Sequence, residues 1–173
     1  MYSRLAGLAA TLPPEMPAPS LLLDQAERLN TQHGDPDRIL ALTTEGISQE
    51  EYRWQHIHPR DWYRVEEKRK TLQSLRASYW KAWTIQVRCD RRAGQSEKAD
   101  RLLARMDYSS ESFRADPGPQ YWAALVTLVQ LYAERNQRKE ATLKLDLMSA
   151  YLAAEPDLAR DAQLKALRAL IAP

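Results

Sequence analysis

Two stretches decide the fold: Trp83-Thr84-Ile85-Gln86-Val87-Arg88-Cys89-Asp90-Arg91-Arg92-Ala93-Gly94-Gln95-Ser96-Glu97-Lys98-Ala99, and Leu125-Val126-Thr127-Leu128-Val129-Gln130-Leu131-Tyr132-Ala133-Glu134-Arg135-Asn136-Gln137-Arg138-Lys139-Glu140-Ala141. Laid over one another at an offset of 42, they set Trp83 on Leu125, Val87 on Val129, Gly94 on Asn136 and Ala99 on Ala141. The register continues to Leu103 on Leu145 and Met106 on Met148. Each copy reads as a helix, a tight turn at a residue that tolerates a left-handed backbone, and a second helix with a small residue where the two must cross.

Working outward, the chain reads as helix after helix. From Asp61 to Ala93 there is neither Gly nor Pro, and Val65, Leu72 and Tyr79 recur at sevens beside Leu75, Ala82 and Cys89. That predicts a helix of about 30 residues, with a kink or break near Lys68–Lys70 as an option at such length. Gly94 ends it, and Ser96 opens a helix with Ala99, Leu102, Leu103 and Met106 inward. Residues 108–119, rich in Ser, Pro and Gly, read as a loop. Three helices follow at about 120–135, 137–153 and 157–171. Upstream, Ser20 caps a helix carrying Leu22, Ala26 and Leu29, which Gly34 ends in a left-handed conformation. Asp35-Pro36 restarts helix, closing near Gly46, and Ser48 with Glu51 forms a capping box for a short helix stopped by Pro59. No segment alternates as a strand, so the fold class is all-α.

The paired hairpins resemble the tetratricopeptide repeat over residues 79–150, with a weaker third copy around Gly34. The second unit fits better, through Leu125, Leu128, Tyr132, Ala141 and Leu145. Departures are Asp90 where an aromatic is usual and Val87 or Val129 where a small residue is usual. The spacing also exceeds the family's repeat of about 34 residues, residues 108–119 supplying the excess. The resemblance implies two to three stacked antiparallel hairpins closed by a C-terminal capping helix, with Leu158, Leu167, Leu170 and Ile171 inward and Arg160, Asp161, Lys165 and Arg168 outward. An irregular α-bundle whose hairpins converge on the same spacing is the alternative.

The 173 residues suit one domain, here 20–173, preceded by a segment 1–19 that ends in a Pro-rich linker (Pro13, Pro14, Pro17, Pro19). Residues 1–12 read as an ordinary N-terminal segment with an amphipathic first turn, the stump of a signal peptide, or a disordered start. The expected location is cytoplasmic, or periplasmic or secreted if residues 1–12 are the stump of a signal peptide. No apolar run reaches the roughly 20 residues of a membrane span. The lone Cys89 excludes an internal disulfide and, on the apolar stripe of the long helix, reads as an inert buried thiol.

A net charge of +2 hides a strong internal asymmetry. Residues 1–63 sum to −4, residues 64–105 to +7 and residues 106–173 to −1. The repeat resemblance implies that the first helix of each hairpin lines a concave groove. Groove positions are then Lys81, Thr84, Arg88, Arg91 and Arg92 in the first unit, and Ala123, Val126, Gln130 and Ala133 in the second. A half-basic, half-apolar groove suits an acidic or amphipathic segment of a partner protein. Against this stands a plain solvated face, its arginines paired with Asp90, Glu97 and Asp100. Most aromatics read as core between hairpins, with Trp80, beside Arg76 and Lys81, as a candidate anchor.

Catalysis finds no support in the residue pattern. His56 and His58, two apart, point to different sides of a helix, and His33 adjoins a turn. Glu50-Glu51 and Glu66-Glu67 read as helix-start or surface charges. There is no phosphate loop and no nucleophile elbow, so neither enzyme nor cofactor is expected. The expected function is a non-enzymatic adaptor or chaperone-like module. Its alternatives are a nucleic-acid-binding or regulatory protein using the basic segment 64–105, and a structural subunit whose exposed apolar strip a neighbour fills.

Overall fold

The computed structural model describes residues 18–55, 65–114 and 119–171. Among these residues are seven helices and no strand: α1 Pro19–Thr31, α2 Pro36–Gln55, α3 Val65–Arg92, α4 Ser96–Arg114, α5 Pro119–Glu134, α6 Arg138–Ala154 and α7 Leu158–Ile171. The readings of residues 1–12, of the prolines 13–17, and of His56, His58, Pro59 and Trp62 lie outside the described residues. None of the described helices is long and apolar enough to cross a membrane.

The chain falls into two compact units that meet within α4, one ending at Ala99 and the other beginning at Asp100. In the first, α1, α2 and α3 each pack against the other two. Ala26, Ile39, Ile85 and Cys89 form a buried cluster there, with Leu29, Leu40 and Leu42 closing its rim. In the second unit α5, α6 and α7 pack in the same mutual way. Leu125, Leu128, Val129 and Leu131 of α5 are essentially inaccessible to solvent, as are Ala141 and Met148 of α6, while Leu164 and Leu167 of α7 are buried at the edge.

The 42-residue register is legible in the hydrogen bonds. At the first turn Gly94 N–H bonds Arg91 O at 3.1 Å and Gln95 N–H bonds Asp90 O at 2.8 Å. At the second, Asn136 N–H bonds Ala133 O at 2.9 Å and Gln137 N–H bonds Tyr132 O at 2.9 Å. Gly94 (φ 77°) and Asn136 (φ 58°) are both left-handed, the form that closes a helix by returning N–H groups to its last carbonyls. Downstream, Ala99-Leu103-Met106 and Ala141-Leu145-Met148 are buried alike. The turn after α1 repeats the pattern, with Gly34 N–H to Leu29 O at 2.7 Å.

Several boundaries differ from the sequence reading, each for a physical reason. His33 (φ 57°), not Gly34, is the left-handed residue after α1. Pro19, not Ser20, opens that helix, because proline fits a first-turn position whose N–H has no partner. α2 runs unbroken through Gly46 and Ser48, so the capping box does not form. Gly46 instead packs tightly against α1: a Cβ there would meet Leu23 Cδ2 at 3.0 Å and Pro19 O at 3.4 Å. α3 has no break at Lys68–Lys70. Residues 108–114, expected as loop, continue α4. Ser110 and Phe113 extend the buried stripe of Met106, and Ser110 and Ser112 return their hydroxyls to the carbonyls of Asp107 and Ser109 at 2.7 and 2.6 Å. That internal satisfaction lets a serine-rich stretch stay helical.

Candidate partner-binding face

Two of the basic residues of α3, Lys81 and Arg92, are tied to α1. Lys81 Nζ lies 2.6 Å from Asp24 Oδ1 and 2.8 Å from Glu27 Oε2. Partial burial pulls its pKa down, but the hydrogen bonds to Asp24 and Glu27 outweigh that and hold it above the usual lysine value. The hydrogen bond from Lys81 in turn holds the Asp24 carboxyl below its usual range. Arg92 reaches α1's end: Nη1 donates to Asn30 O at 2.5 Å and Asn30 Oδ1 at 2.8 Å, and Nη2 to Gly34 O at 3.0 Å. It satisfies carbonyls that the helix end leaves without a partner.

Of the remaining predicted positions in this unit, Arg88 is half-buried and Arg91 is exposed, one turn apart. Thr84 donates its hydroxyl to Trp80 O at 2.8 Å within α3. Trp80 is half-buried, its ring 6.5 Å from that of Trp83, which in turn stands 5.4 Å from Tyr79. The Tyr79 hydroxyl donates to Glu51, and Ser74 and Ser78 reach Glu50, so this end of α3 is stitched to α2. In the second unit Ala123 is exposed, and Val126 and Gln130 are half-buried on α5.

Asp90 is the anomaly of the basic helix. It is buried, and its Oδ1 has no hydrogen-bond partner. Burial pushes its pKa up, with the positive charge of Lys98 opposing. Cys89 is buried, its thiol 3.7 Å from Pro36 O, and burial raises its pKa too. A thiol held protonated in an apolar site is a poor nucleophile. No group of three or more His, Cys, Asp or Glu side chains capable of holding a metal occurs among the described residues.

Two constellations in the second unit escaped the sequence reading. Asp107 of α4 accepts a hydrogen bond from the Tyr132 hydroxyl at 2.6 Å and pairs with Lys144 of α6. Burial, reinforced by that bond to Asp107, pushes the Tyr132 phenol strongly upward. Arg160 of α7 lies 5.6 Å from the Trp122 ring and 5.3 Å from the Tyr151 ring, while Trp122 Nε1 donates to Gln163 at 2.6 Å. Positions 107, 132 and 144, like 122, 151 and 160, share no periodicity that would have joined them beforehand.

Arg160, expected outward, is thus the cation over two rings that fixes α7. Leu158 and Leu170, expected inward, are 91% and 57% exposed. α7 buries Leu164 and Leu167 instead. No known protein family, curated protein or solved structure matches the chain.

Proposed function

We propose that the chain is a non-enzymatic protein-interaction module that holds an acidic segment of a partner against the C-terminal turns of α3. The observation that carries this is the placement of Arg91, exposed, one turn from the half-buried Arg88. Lys81 and Arg92 tie α3 to α1 rather than contact the partner, since both are engaged there. Trp80 and Thr84 flank the same helix and support an amphipathic segment rather than a purely acidic one. The Ala123, Val126 and Gln130 face of α5 is a second, apolar surface of the same kind in the other unit. A tetratricopeptide-like mode of recognition fits the equivalent turns, with the helices as the scaffold.

The test is charge reversal. R88E/R91E should weaken binding of acidic amphipathic peptides, selected from a displayed library on the native protein, by at least tenfold, because a desolvated charge pair broken on one side costs about 2–5 kcal/mol. R138E/K139E, exposed on α6, is the control of equal charge change. Equal loss in both variants would leave net charge as the only determinant, and no loss in either would move the site off α3. Nucleic acid is the second class to exclude. Its binding falls log-linearly and steeply with salt, whereas peptide held partly by apolar contact falls less. The carboxylates of Asp24 and Glu27 beside Lys81 disfavour a phosphate backbone there.

A separate observation, the apolar outer face of α7, favours a further role as a subunit of an assembly.

A further inference from the structure

We draw no further inference here: the strongest candidate, the exposed apolar face of α7 formed by Leu158, Ala162, Ala166 and Leu170, carries none because nothing in the structure shows what covers it.

Discussion

Replacing Asp107 with Asn keeps the shape of the side chain and removes its charge. In the native protein that carboxylate joins three helices, receiving the Tyr132 hydroxyl from α5 at 2.6 Å and the Lys144 ammonium from α6. The Lys144 side chain is only 11% exposed and that of Asp107 26%. Removing one partner of a buried pair typically costs 3–5 kcal/mol, because the other charge stays desolvated without compensation. The exposed quarter of Asp107 puts the cost at about 3 kcal/mol, and the hydrogen bond retained by Asn to Tyr132 lowers it no further than about 2 kcal/mol. For a unit of this size, 2–3 kcal/mol corresponds to a drop of roughly 10–20 °C in melting temperature. Thermal unfolding followed by far-UV circular dichroism reads this, and hydrogen exchange should place the loss in α4, α5 and α6. The double variant D107L/K144M removes both charges and should recover much of the loss. If D107N melts within about 1 °C of the native protein, a shift expected for less than about 0.5 kcal/mol, Lys144 reaches water on its own. The three-helix junction is then not held by this pair. The phenol adds a pH signature. Because its folded pKa is raised above the ordinary value of 10.0, its contribution is complete below pH 10 and is lost as pH rises beyond it. Y132F should flatten that alkaline decline.

Three other perturbations test the frame. Ala99→Leu and Ala141→Leu, at equivalent buried positions, should each cost about 1–3 kcal/mol by overpacking, while Ala104→Leu, exposed on α4, should change urea stability by less than about 0.5 kcal/mol. Gly46→Ala should destabilise by about 1 kcal/mol in the same assay despite alanine's better helix propensity, because its Cβ meets the buried Leu23 at 3.0 Å; a stabilised variant would show that α1 can retreat. For Lys81, the lowered pKa of Asp24 makes its share of the α1–α3 contact complete above pH 3.8 and lost as pH falls, whereas the raised pKa of Lys81 makes its share complete below pH 10.5 and lost above. K81Q should therefore reduce the fall in melting temperature between pH 7 and pH 3, and an unchanged fall would remove the ion pair from the stability of α1.

Local chemistry alone determined the helical class and the two equivalent turns. Helix formation depends on contacts three and four residues apart, so the apolar stripe of α3, the left-handed Gly94 and Asn136 and the 42-residue register were all readable in order along the chain. Where local signals misled, the missing information was a distant contact. Gly46 resembles a helix end until Leu23 is brought against it, and Tyr108–Arg114 resembles a loop until Ser110 and Phe113 are seen to be buried. The candidate face depends on distant contacts even more. Nothing in composition separates Lys81 and Arg92 from Arg91. The first two are claimed by α1 residues 57 and 62 positions away, and the third is left exposed. On α7, Leu164, Leu167 and Ile171 share one face by their spacing, whereas Leu158 and Leu170 fall on another. The docking of α7 onto α5 and α6 buries the face of Leu164 and Leu167 and leaves Leu158 and Leu170 outside. Which side of a helix is buried is a property of its neighbours, because burial is area removed from water by another surface, and that surface comes from elsewhere in the chain.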